Sequence, residues 1–111
     1  ELDFDLLKKI NEKVSIPLVL HGGTGIADED FKQTIENGIV KVNIGAGLKR
    51  EVIKSIQNYF KEYDVTEMNP NDVLGKGNPQ DLDFYSHEGL IAKVMNYMDL
   101  FNSTGKADKF I

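Results

Sequence analysis

Apolar residues recur along this chain in two alternating patterns. Leu6, Leu7, Ile10 and Val14 stand at helical spacing, with Lys8, Lys9, Glu12 and Lys13 on the other side. They predict a first helix, for which Asp3 or Asp5 can serve as N-cap. Ser15-Ile16-Pro17 breaks it. Leu18-Val19-Leu20 is a short run without alternation, the pattern of a strand buried on both faces. It stops at His21-Gly22-Gly23-Thr24-Gly25. Asp28 is then placed to cap a second helix, with Asp30 in its first turn, Phe31 and Ile35 facing inward and Gly38 closing it. Ile39-Val40-Lys41-Val42-Asn43-Ile44 reads as a second strand. Gly45-Ala46-Gly47 leads into a long amphipathic helix marked by Leu48, Val52, Ile56, Tyr59, Phe60 and Tyr63. Between Asp64 and Asp83 the chain turns polar, with Asn69-Pro70-Asn71, Gly75, Gly77 and Asn78-Pro79, which predicts a loop that could hold one helical turn. A last helix carries Leu90, Ile91, Val94, Met95, Met98 and Phe101 on one stripe, with Gly105 after its end.

Helix and strand in alternation are the signature of parallel α/β architecture, where each strand returns through a helix packed on the sheet. Two strands cannot close a sheet, however, and a (β/α)8 barrel takes about 250 residues. With 111 residues this chain holds one core at most. It is expected either to be a fragment of a longer enzyme or to complete its sheet by association. Opening on Glu1-Leu2-Asp3 without Met favours the fragment.

Composition narrows the function. A hydrophobic fraction of 41% and a charged fraction of 28% fit a globular protein and not a disordered tail. The net charge is -5, with Lys scattered among Asp and Glu, so no basic stripe marks a nucleic-acid or anionic-membrane surface. There is no Cys, which leaves His, Asp or Glu for any metal and fits a reducing, cytoplasmic setting. No apolar stretch approaches the ~20 residues that span a bilayer.

The two glycine-rich turns carry the chemistry. Glycine lets backbone approach an oxyanion, and a helix start offers free N–H groups and a favourable dipole. In eight-stranded barrels, the loops after the last two strands often hold a phosphate. Each element also has a plain reading. Glycine-rich βα turns are common, a lone His at a strand end can be purely structural, and Asn43 could simply cap the helix after it. Rival motifs fail: Asp28 stands where a dinucleotide fingerprint needs its third glycine, and no Gly-Lys-Ser/Thr completes a P-loop. His21 has no second His nearby, so local residues cannot build a zinc site. His87, in Ser86-His87-Glu88-Gly89 at the expected start of the last helix, reads as a capping or surface residue.

Three segments together resemble one family. Leu2-Asp3-Phe4-Asp5, then Pro17-Leu18-Val19-Leu20-His21-Gly22-Gly23-Thr24-Gly25-Ile26, then Lys41-Val42-Asn43-Ile44 are similar to the C-terminal part of class II fructose-bisphosphate and tagatose-bisphosphate aldolases. The likeness is strongest from Glu1 to about Lys49. It implies an α/β fold, the C-terminal part of a TIM (β/α)8 barrel supplying strands seven and eight with the C-terminal helices, so that residues 1–111 form one piece of a single barrel domain. By the same resemblance, His21 matches a Zn2+ ligand. Gly22, Gly23 and Thr24 match the loop that binds the phosphate of dihydroxyacetone phosphate, and Asn43, Ile44, Gly45 and Ala46 match the second substrate-binding stretch. Members commonly carry Thr in place of Ala46, and many fructose-bisphosphate members carry Asp in place of Gly45, which leans the chain towards tagatose-type or other ketose-bisphosphate enzymes. The implied reaction is reversible cleavage of a ketose 1,6-bisphosphate to dihydroxyacetone phosphate and glyceraldehyde 3-phosphate. The acid and base carboxylates and the other two ligand histidines would precede Glu1, leaving this chain inactive alone. Expected partners are a sugar phosphate and either further copies of the chain or the missing N-terminal half, with neither nucleic acid nor membrane. The alternative is a non-catalytic, phosphate-binding half-barrel module.

Overall fold

In the computed structural model, which describes residues 2–109, two short parallel strands pair side by side, β1 (Leu18–Leu20) and β2 (Ile39–Val42). Five helices accompany them among the described residues: α1 (Phe4–Lys13), α2 (Asp28–Glu36), α3 (Ala46–Glu62), the single turn α4 (Pro70–Val73) and α5 (Leu82–Leu100). The fold is therefore α/β, mostly helical, with α2 as the crossover between the strands. Glu1, which opens the family-like segment, lies outside the described residues.

The chain divides into two compact units. One takes the chain up to Gly47 together with the stretch from Tyr97 onward, and the other is Leu48–Asn96.

In the first unit, Asp3 is the N-cap of α1, its carboxylate accepting from Leu6 N–H at 2.9 Å. Of the two capping candidates Asp3 is the one used, and Asp5 sits inside the first turn where its charge suits the helix dipole. α2 departs from expectation at its start. Asp28 is not the cap. Ala27 occupies that position without a side-chain bond, and Asp28, Glu29 and Asp30 all lie in the first turn. Three carboxylates near the helix's positive end replace one capping oxygen. At its other end Asn37 is the C-cap and Gly38 follows with φ +99°, its N–H bonded to Ile35 O. A side chain at Gly38 would meet that strain and also the Asn11 amide of α1, so the glycine is required twice.

The ladder pairs Leu18 with Ile39, Val19 with Lys41 and Leu20 with Val42. Val40 is thus one extra residue in β2, a bulge. Ile39 is buried, as is Phe31 on α2, but Val19 and Val40 remain 42% and 68% exposed. The two-faced burial expected for these strands is not realised within the described residues. β2 also stops at Val42, two residues before the expected end.

In the second unit the core is aromatic. Tyr59 of α3 is fully buried, with Tyr63, just past the end of that helix, 4.9 Å away by ring centroid and Tyr85 of α5 at 5.4 Å. Its hydroxyl donates to Gln80 O at 2.8 Å. The helices approach closely where Gly89 faces Ser55, since a Cβ on Gly89 would overlap the serine hydroxyl. The polar stretch after α3 holds more structure than one turn: a 3-10 turn at Val65–Glu67, capped by Asp64, precedes α4, capped by Asn69. α5 begins at Leu82, well ahead of His87. Buried Asp81 caps it, accepting from Asp83 N–H with one oxygen and from Gly77 N–H with the other, both at 2.9 Å. Those backbone bonds, Gly77 first and then Asp83, Lys76 and Gly75, hold its carboxyl below the usual carboxylate range, although burial alone would push it up. His87 is exposed in the second turn of α5 and caps nothing.

Candidate functional site

Past the strand ends the two segments stay together for a further step. Asn43 N–H donates to Leu20 O at 2.8 Å and Gly23 N–H donates to Asn43 O at 3.3 Å, continuing the parallel ladder into the turns. This brings His21 beside Asn43, with the Asn43 amide nitrogen 3.2 Å from His21 Nδ1. The contact has two chemical forms. An amide N–H donating to Nδ1 places the neutral ring's proton on Nε2, whereas the carbonyl end of the amide accepting from Nδ1–H leaves the Nε2 lone pair free for a metal.

The second link joins the turns directly. Gly47 N–H, in the first turn of α3, donates to Thr24 Oγ1 at 2.9 Å. The residue that caps α3 therefore comes from the other turn, and Asn43, which sequence left open as a cap, is engaged with His21 instead. A hydroxyl that accepts from Gly47 keeps its own proton to donate elsewhere. The N–H groups of Gly22, Thr24, Ile44, Gly45 and Ala46 have no partner among the described residues. By contrast, the N–H groups of Gly23, Asn43 and Gly47 are already spent within the protein.

Side-chain space divides the candidate residues further. A cleft of about 310 Å³ is lined by Leu20, His21, Gly22, Thr24 and Asp30, among others. Gly23 is buried and turns away from it. A Cβ there would stand 3.0 Å from Val42 Cγ1, 3.1 Å from Ile44 Cγ1 and 3.3 Å from Phe31 Cε1. Gly23 is thus kept small by the core behind the turn. Ile44 belongs to the same packing, and what it can offer a ligand is its backbone. Gly22 and Gly25 differ again: nothing lies within 4 Å of a Cβ on either, but φ is +71° and +90°. They bend the turn.

Two residues near the turns escape the sequence reading. Asp30 lines the cleft with His21, and its spacing from the motif carried no signal beyond a helix first turn. Tyr97 approaches Gly47, its hydroxyl 3.3 Å from where a Cβ on that glycine would stand. The Tyr97/Phe101 pair at i, i+4 could have pointed to it.

His21 is a suitable zinc ligand by type, exposed at a strand end. Yet no group of three or more His, Cys, Asp or Glu is gathered among the described residues, and a catalytic zinc takes three protein ligands. The donor set here is incomplete. Among the described residues no helix is long and apolar enough to cross a membrane.

The family model described as "Fructose-bisphosphate aldolase class-II" matches residues 1–106. Among solved structures, the YdjI aldolase from Escherichia coli K12 is 28% identical and superposes with a TM-score of 0.75 over 96% of this chain and 36% of its own. A protein from Coccidioides immitis provisionally assigned as a fructose-1,6-biphosphate aldolase is 29% identical, with a TM-score of 0.76 over 99% of this chain and 34% of its own. Fructose-bisphosphate aldolase from Campylobacter jejuni shares the fold at 16% identity, with a TM-score of 0.73 over 93% of this chain and 35% of its own. This chain spans about a third of the length of the structures it matches.

Proposed function

Because the chain belongs to the class-II fructose-bisphosphate aldolase family, we propose that it is the C-terminal portion of a zinc-dependent ketose 1,6-bisphosphate aldolase, acting on fructose or tagatose 1,6-bisphosphate. In this reading β1 and β2 are the seventh and eighth strands of a TIM barrel, and both turns lie on the barrel's C-terminal face. The observation that carries it is the double link across adjacent parallel strand ends: His21 to Asn43, and Thr24 to Gly47.

The chain's residues divide the work. His21 offers one imidazole to Zn2+, with the remaining ligands supplied from outside this chain, and the Asn43 amide would hold Nε2 open for the metal when its carbonyl oxygen is the end that faces Nδ1–H. Zinc bound there would polarise the substrate's ketone oxygen as a Lewis acid. The phosphate of dihydroxyacetone phosphate is gripped by the Thr24 hydroxyl proton and by the open N–H groups of Gly22, Thr24, Ile44, Gly45 and Ala46. Gly23, the Ile44 side chain and the N–H of Asn43 contribute by holding those groups in place. With Ala at position 46 and Gly at 45, this wall contributes mostly backbone donors, so it reads the phosphate more than the sugar's stereochemistry.

The exposed Val19 and Val40, and the open outer edges of β1 and β2, are where the rest of the barrel or another copy would pack. The test is made in the full-length protein, by metal analysis and aldol cleavage. His21→Ala is expected to lose most zinc and activity together. A variant that keeps normal zinc and turnover removes His21 from the ligand set.

A further inference from the structure

Beneath the two turns three aromatic rings pack together. Phe31 of α2 meets Phe101 edge-on, with ring centroids 5.2 Å apart, and meets Tyr97 of α5 in the same manner at 6.3 Å. Tyr97 and Phe101 are stacked at 5.6 Å, with planes 20° apart. The cluster touches each turn at its glycine. Phe31 Cε1 lies 3.3 Å from the Cβ position of Gly23, and Tyr97 Oη lies 3.3 Å from the Cβ position of Gly47.

The second contact is the informative one. It is the hydroxyl oxygen of Tyr97, and not its ring, that comes nearest the Cβ position of Gly47. It ends against backbone, at the residue whose N–H makes the Thr24 bond. The same Cβ position at Gly47 is 3.5 Å from Thr24 Oγ1 and 3.5 Å from Ile44 Cγ2. Tyr97, Thr24 and Ile44 therefore close the space around Gly47 on three sides. φ at Gly47 lies outside the left-handed region, so what resists a side chain there is space, chiefly the Tyr97 hydroxyl at 3.3 Å, and not backbone conformation.

The geometry points to Tyr97 as a positioning residue. Its hydroxyl sets the seat of Gly47, and through the Gly47–Thr24 bond it fixes the spacing between the two turns that grip the phosphate. This rests on the phosphate-grip reading above. The consequence is a size exchange: a methyl group at 47 and a hydroxyl on the ring at 97 compete for one place.

Four full-length proteins test it: the parent, Gly47→Ala, Tyr97→Phe, and the double variant. Two readouts are taken, the affinity for dihydroxyacetone phosphate with kcat and KM, and the hydrogen exchange of the residue-47 amide. Gly47→Ala is expected to weaken affinity by about tenfold and raise KM more than it lowers kcat, the range of coupling seen between touching residues. Tyr97→Phe alone has a smaller effect in the same direction. The double variant regains most of the affinity lost in Gly47→Ala and restores slow exchange at residue 47. Additive effects, with the double variant no better than Gly47→Ala in exchange, overturn the inference. A parent protein that does not bind dihydroxyacetone phosphate would refute the phosphate-grip reading instead, while the exchange pattern would still decide whether Tyr97 seats Gly47.

Discussion

Replacing Gly23 with Ala puts a methyl group into a space already filled. Its three nearest neighbours would be Val42 Cγ1 at 3.0 Å, Ile44 Cγ1 at 3.1 Å and Phe31 Cε1 at 3.3 Å, against an ordinary contact near 3.5 to 4.0 Å. Phe31 is fully buried and Val42 and Ile44 are half-buried, and each must give by a few tenths of an ångström. Inserting a methylene into a filled core costs about 1–3 kcal/mol. Against this, Gly→Ala restricts the unfolded chain and returns about 0.4–1 kcal/mol where the backbone permits it. The net loss is about 1–2 kcal/mol. Urea unfolding of the full-length protein reads it as a lower midpoint with an unchanged slope. The specific claim is that Val42 is the main obstacle. Val42→Ala removes the nearest atom, so the two changes together should be less harmful than their sum, by about 1 kcal/mol. Gly22→Ala is the control. Its methyl group meets nothing, its cost of about 1–2 kcal/mol comes from φ alone, and Val42→Ala should not relieve it. Additivity of Gly23→Ala with Val42→Ala, or a loss of ligand affinity in Gly23→Ala at full stability, would refute the assignment of Gly23 to the core.

Three further outcomes are expected. Thr24→Ala removes the oxygen that caps α3 and should cost about 0.5–2 kcal/mol of stability as well as affinity, while Thr24→Ser keeps most of both; this is checked by unfolding and ligand titration. Asp81→Asn should destabilise at neutral pH, because an amide offers one acceptor oxygen where the Gly77 and Asp83 N–H groups use two. Since the Asp81 carboxyl is held below its ordinary value, its stabilisation is complete above about pH 4, the unfolded value, and fades as pH falls through the lower folded value; the variant's urea midpoint should lack that part of the acid limb. The isolated 111-residue chain is expected to self-associate at micromolar concentration through its uncovered sheet and edges, which sedimentation would show, and a stable monomer would contradict that.

What the sequence could and could not disclose follows from where each signal resides. The strands, α1, α2 and α3 were legible from apolar spacing, and the His-Gly-Gly-Thr-Gly turn from composition and its likeness to one family. The partition of labour inside the turns was not. Gly22 and Gly23 look equivalent as letters, yet one is needed for φ +71° and the other for the room taken by Val42, Ile44 and Phe31. Asn43 carried no mark that distinguished a helix cap from a partner of His21, because both uses take the same amide at a strand end. Asp28 met the usual capping pattern and was passed over for Ala27, since the carboxylates gain from the helix dipole without a specific bond. The early start of α5 was hidden because Asp81 caps it from inside a stretch whose glycines and prolines signal a loop. Two-faced burial of the strands was argued from whole parallel sheets. A two-stranded piece leaves one side open, and Val19 and Val40 record it.

The extra residue in β2 gives the chain slack. Had the ladder been regular from Leu18 and Ile39 onward, His21 would stand opposite Val42, and the Asn43 side chain would fall on the wrong side for the imidazole. Val40 absorbs that offset in a place where its own side chain is mostly uncovered by the described residues of this chain. Deleting it should even out the pairing while keeping Lys41 opposite Val19 and Asn43 beside His21. One residue of length between α2 and Lys41 is therefore taken up inside the strand, and the two halves of the site stay in step.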